Sequence, residues 1–300
     1  MAVTFHADRI DLAHVCWRAG ARPELRRFES YRRQGDDAEA LRRLRGARRL
    51  GRTRCATLLP ATDYQVLQVE APNVPADELK AALRWRIKDM LDMRLEAATV
   101  ESVVIPSASA GGRLPQVFAV AAANDVIRAR ARPFVVAGLP LEVVDIPELA
   151  QRNVAALLED ENRGLAMLVF DEDGGLLTLT YRGELCAYRR IDLRAGQIAQ
   201  VDPERRDPVV ERIALELQRS LDSFDRQFNF ISVSRVSIAE VAGAPWLIPA
   251  LAAASYVPVE TLDLGRAVDL SAVAELRDAP RQAAALQCIG AALRPGGDAA

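Results

Sequence analysis

Hydrophobic and polar positions alternate along two stretches of the chain in the same order. From Val3, VTFHADRIDLAHV reads as a hairpin and runs into a third strand-like segment and an Arg-rich helix. From Gly164, GLAMLVFDEDGGLLTLTYRGELCAYRRIDL repeats that order and leads into a long amphipathic helix. A unit used twice predicts a duplicated α/β fold with a cleft between its halves.

The remaining elements follow from periodicity. Spacing of Ala40, Leu41, Leu44 and Ala47 predicts a helix over 37–50, capped by Asp36 and Asp37. Strands are expected at CATLLP and VLQVEAP, and then a helix over 75–93 with Leu79, Leu83, Ile87 and Met90 on its core face. Trp85 falls opposite that stripe, so it either packs against a second layer, the favoured reading, or awaits a partner. The strand runs VESVVIP and QVFAVAAA, a helix from Asn124, a strand LEVVDIP and a helix over 148–158 complete the first half. The β–α–β–β order suggests a small α+β module set into it at about 62–132. The acidic stretch 159–163 marks the expected boundary between a first domain, 1–158, and a second, 159–300. In that second half Ile213, Leu217, Leu221, Phe224 and Phe228 form one stripe of a core helix over 208–228. The strands SRVSIAEVA and VPVETLDL, the helix APWLIPALAAAS and a last helix over 280–293 follow, with a frayed tail expected.

Composition narrows the function classes. Half of the 300 residues are hydrophobic, enough for two cores, yet no apolar run reaches the roughly 20 residues a membrane helix needs. Asp8 and Asp11 interrupt any leader pattern, so the cytoplasm is the expected location. Four scattered cysteines without CxxC spacing read as reduced thiols, and with two histidines no zinc site is expected. Net charge is −2, which gives no global pull toward nucleic acid, but arginines crowd the stretch 18–54, among them Arg42, Arg43, Arg45, Arg48, Arg49 and Arg52. A solvated helix face and strand edge is the plain reading. The sharper one is peripheral contact with anionic membrane or an acidic partner.

In a duplicated fold of this kind, phosphate would meet the first hairpin turn of each half. His6-Ala7-Asp8-Arg9 has neither glycine nor hydroxyl, and Asp171-Glu172-Asp173-Gly174-Gly175 would repel a triphosphate unless magnesium intervened. An exposed Asp-Gly turn needs no ligand at all. The expected glycine-rich turn near the base is reduced to Ala242-Gly243, and Pro245 removes a backbone donor. Glu216 and Arg219 either flank an adenosine or form a solvated ion pair. No nucleophile–base pair is visible, and His6 and His14 lie in a strand region.

The runs VLQVEAPNVPADELKAALRWRIKDMLDM, GLPLEVVDIPELAQRNVAAL, VERIALELQRSLDSFDRQF and AALQCIGAALR resemble the PilM/MshI group, actin-like proteins of type IV and MSHA pilus biogenesis. The resemblance is closest to MshI and weakest before residue 55. It implies an α/β, duplicated actin-like (ribonuclease H-like) two-domain fold with an inserted α+β module. It further implies a scaffold on the cytoplasmic face of the inner membrane, binding the cytoplasmic N-terminal tail of a PilN- or MshJ-like bitopic protein. Trp85 and Arg86 are then partner-facing candidates, and a homo-oligomer is conceivable because actin relatives polymerise. Nucleotide-binding members carry an acid where Phe5 or its neighbour stands, and a glycine where Asp173 follows Asp171. The expected vestigial cleft thus comprises Asp171, Asp173, Gly174, Gly175, Glu216, Arg219 and Gly243, with no catalytic residue, no metal and no cofactor. The alternative is an active ATPase using ATP and Mg at the same residues.

Overall fold

The structure, a computed structural model, describes residues 1–18, 20–48, 50, 53–107 and 115–294. Arg49, Arg52 and the expected tail lie outside them. Three strands, β1 (Ala2–Phe5), β2 (Arg9–Cys16) and β3 (Glu24–Arg32), precede α1 (Asp37–Arg48) and β4 (Cys55–Leu58). Next come β5 (Tyr64–Glu70), α2 (Ala76–Arg86), β6 (Ala98–Val104), β7 (Gln116–Ala123), α3 (Asn124–Ala137), β8 (Leu141–Asp145) and α4 (Pro147–Ala155). The second series is β9 (Gly164–Phe170), β10 (Gly175–Tyr181), β11 (Glu184–Ile191), α5 (Ala195–Ala199) and α6 (Arg206–Gln227). It closes with β12 (Val233–Ile238), α7 (Leu247–Ala254), β13 (Val259–Thr261), α8 (Leu264–Ala267) and α9 (Ala279–Ala292).

Sheet order makes the duplication explicit. One five-stranded sheet runs β3-β2-β1-β4-β8 and another β11-β10-β9-β12-β13, so each strand of one has its counterpart in the other. β4 lies parallel to β1 and β8, as β12 lies parallel to β9 and β13. Every residue of β9 and β10 is buried, as expected of a sheet covered on both faces. Gln151 of α4 is buried too, and its amide donates to the Met167 and Leu176 carbonyls (2.8 and 3.1 Å) and to Thr178 Oγ1 (3.0 Å). Those bonds satisfy an amide that would otherwise be costly to bury.

β5, β6 and β7 form a third sheet, β5-β7-β6, with α2 against it. This is the inserted α+β module. Its core joins Leu83 and Ile87 to Val100, Val117, Ala119 and Ala121. The helix expected over 75–93 stops at Arg86, and a 3-10 turn follows at Lys88–Met90. Met90 is therefore swung out of the stripe and exposed, while Leu83 and Ile87 stay buried.

By internal contacts the described chain divides into two units. One comprises Met1–Asp11 and Ser30–Pro147, the other Leu12–Glu29 and the chain from Glu148 onward. Within the second unit, the Leu25 N–H donates to the Asp269 carbonyl (2.9 Å) and the Asp269 N–H to the Pro23 carbonyl (2.8 Å). There too α4 and α9 meet closely, for a Cβ on Gly290 would lie 2.1 Å from the Ala150 carbonyl oxygen. Among the described residues, no helix is long and apolar enough to cross a membrane.

Candidate functional site

The turn between β9 and β10 holds four of the expected nucleotide positions. Asp171 Oδ1 accepts the N–H groups of Asp173 (2.8 Å) and Gly174 (3.1 Å), closing the turn on its own carboxylate. Burial pushes the Asp171 carboxyl above its ordinary value; the charges of Asp173 and Glu172 add to this, and the two N–H donors oppose it. Gly174 has φ +144°, and a Cβ on Gly175 would lie 2.6 Å from the Phe170 ring. Both glycines thus answer to their own strand neighbours. The Asp171 carbonyl accepts the Ala195 N–H (2.8 Å), and at the other end of α5 a Cβ on Gly243 (φ +81°) would lie 3.3 Å from Ala199. α5, which carries no signal in the hydrophobic pattern, ties these two turns together.

Glu216 and Arg219 do not frame an open site. Glu216 accepts from Arg189 of β11 (3.1 Å) and from Arg219 (3.4 Å), while Arg189 also donates to Ser220 (2.8 Å). The ion-pair reading is the one the contacts support, and it fastens α6 to β11. Among the described residues, no three His, Cys, Asp or Glu side chains converge as a cation would require.

The first turn is locked differently, by residues the sequence reading did not connect. Asp11 is buried, and it accepts from Arg9 Nε (3.2 Å), from His6 Nε2 (3.1 Å) and from the Ser30 hydroxyl. Burial works to raise its pKa, but the hydrogen bonds from His6 and Ser30 and the charges of His6 and Arg9 prevail and hold it below 3.8. Arg33 then clamps the turn: its N–H donates to the Asp8 carbonyl (2.7 Å) and its guanidinium to the His6 carbonyl (2.9 Å). Nothing in the spacing of Asp11 and Ser30 announces this, because β2 and β3 bring them together only on folding.

Beside that turn the first unit holds a groove of ≈ 300 Å³ lined by Phe5, Arg33, Asp37, Asp63, Arg130 and Pro133. Phe5 therefore sits in the groove wall, edge-on to Phe134 (5.9 Å between centroids) and under the Arg130 guanidinium (5.4 Å). Arg33 and Asp37 form a bidentate pair (2.7 and 2.8 Å). Arg130 is half-buried and, among the described residues, forms no hydrogen bond or ion pair. Burial pulls its pKa down from 12.5; Asp63 and Asp37 pull it up and Arg33 pulls it down. A half-buried guanidinium whose donors meet no acceptor among the described residues can take one from a ligand.

Trp85 is 69 % exposed, which overturns the second-layer reading. Its ring carries Lys88 Nζ at 5.2 Å, and Arg86 donates to Glu70 of β5 (3.2 Å) within the inserted module. Neither residue lines the groove.

The chain matches no protein-family model, and no curated protein matches it in sequence. Among solved structures it is similar to a chain of the PilM-PilN type IV pilus biogenesis complex, at 19% identity and TM-score 0.76 over 98% of each chain. A second likeness is to the cytoplasmic domain of EpsL, an inner membrane component of the type II secretion system of Vibrio cholerae. It has 15% identity and TM-score 0.49 over 88% of this chain and 90% of that one. The full-length superposition on the first of these shows the fold to be the duplicated actin-like one with its inserted module.

Proposed function

We propose that this chain is a PilM-like, non-hydrolysing scaffold of pilus or secretion assembly. It takes the cytoplasmic N-terminal tail of a PilN- or MshJ-type bitopic inner-membrane protein, which recruits it to the cytoplasmic face of that membrane. The observation that carries this reading is the groove. A cavity with an apolar wall (Phe5, Pro133) and a guanidinium that is unpaired among the described residues suits a short segment that offers an apolar side chain and a carbonyl or carboxylate. Likeness in fold to a chain solved in complex with PilN supports the choice of partner class. MshI-type membership, suggested by the decayed nucleotide motifs, is part of the same proposal.

Fluorescence anisotropy with a labelled N-terminal tail of the PilN- or MshJ-type protein from the same organism tests it. Arg130→Ala should weaken binding about tenfold or more, the loss expected for a charge-assisted hydrogen bond. Trp85→Ala reports whether the tail also crosses the inserted module. No binding by the wild-type chain would sink the reading. The ATPase alternative is met by calorimetry with Mg-ATP: micromolar binding and a turnover abolished by Asp171→Asn would establish it.

A further inference from the structure

α1 and α3 pack side by side, and their C-terminal ends lie together. Arg42 Nε donates to the Val136 carbonyl (3.3 Å) and Arg45 Nη1 to the Ala137 carbonyl (3.1 Å), so two arginines of α1 cap the last turn of α3. This explains part of the arginine run, and it also builds a surface. Val135 at 74 % exposure and Val136 at 40 % stand out beside those guanidiniums, and Arg43 and Arg132 are exposed on the same two helices. Arg132 has no hydrogen bond or ion pair among the described residues, and Arg43 reaches only Glu39 one turn back. Of the acids of the pair, Asp36, Asp37 and Asp125 fall in or beside the first turns of the two helices, and Glu39 is taken up by Arg43.

We infer that this end of the α1–α3 pair docks on an anionic lipid surface, valines toward the acyl boundary and arginines among the headgroups. Exposed β-branched side chains on a helix end capped by arginines offer both an apolar and a cationic contact, and an anionic bilayer surface satisfies both at once. The inference is independent of the groove, so the two readings stand or fall separately.

The test is flotation of the full chain with phosphatidylglycerol–phosphatidylcholine vesicles and with phosphatidylcholine vesicles alone. The wild type should float with the anionic vesicles only, and less as salt is raised. Arg43→Gln with Arg132→Gln should weaken partitioning by about 25-fold, near fivefold per lost cation. Val135→Asp should weaken it as well. Arg94→Gln, an exposed charge on the inserted module, should leave it unchanged, and circular dichroism confirms that each variant is folded. Three results would each overturn the inference: no flotation at low salt, flotation equal in the double variant, or equal loss with Arg94→Gln. So would retention on an immobilised acidic peptide without vesicle binding, which would assign the patch to an acidic protein. Tail-peptide affinity of the double variant should match wild type.

Discussion

At the scale of single residues, the two hairpin turns differ in how they use their acids. Asp11 is a carboxylate held ionised by donors on three sides, so Asp11→Asn leaves partners of a buried charge poorly satisfied and should cost about 1–3 kcal/mol at neutral pH. Its folded pKa lies below the ordinary 3.8, so this stability is full above that pH and is lost as the pH falls through the folded value. Urea titrations of wild type and variant should accordingly stay apart down to the ordinary carboxylate range and converge only as the pH falls through the lowered folded value. Asp171 has the opposite sign. Its raised pKa means that ionisation costs the folded turn some stability, a cost relieved as the pH falls through the folded value.

At the scale of elements, close approach between α4 and α9 depends on one missing side chain. A methyl at position 290 would overlap the Ala150 carbonyl at 2.1 Å and disturb the bond from Asn153 to the Gly290 carbonyl (2.9 Å). Gly290→Ala should destabilise by about 1–3 kcal/mol in chemical denaturation, despite the gain in helix propensity. Elements with a strong period were legible in the sequence. The stripe Ile213, Leu217, Leu221 and Phe224 is buried on α6 as expected, and QVFAVAAA coincides with β7. α2 was overextended because Met90 keeps the period after the backbone has left the helix. Trp85 was misread because a helix wheel tells which side a residue faces, not whether anything covers that side. α5 and the Asp11 cluster were invisible for a different reason. A five-residue helix has no period to detect, and a contact across neighbouring strands has no fixed spacing.

For the whole molecule, the fold was accessible from pattern and resemblance, whereas the groove needed coordinates. Its residues come from β1, the start of α1, the entry to the inserted module and α3, a set no linear motif unites. If the tail reading holds, the bound peptide at a hundredfold its Kd should stabilise the unit that holds the groove by about 2.7 kcal/mol. A melting scan should show that gain with the tail and none with Mg-ATP.

The interleaved course of the chain also bears on its birth at the ribosome. Leu25 pairs with Asp269, and Arg22 bonds to the Gly265 carbonyl 243 residues downstream. At 5–20 residues per second, residues 12–29 emerge about 12–50 s before the partners at Gly265 and Asp269. For that interval a nascent edge waits without its mate, so a trigger-type holdase has more to guard here than in a protein whose units fold one after the other along the chain.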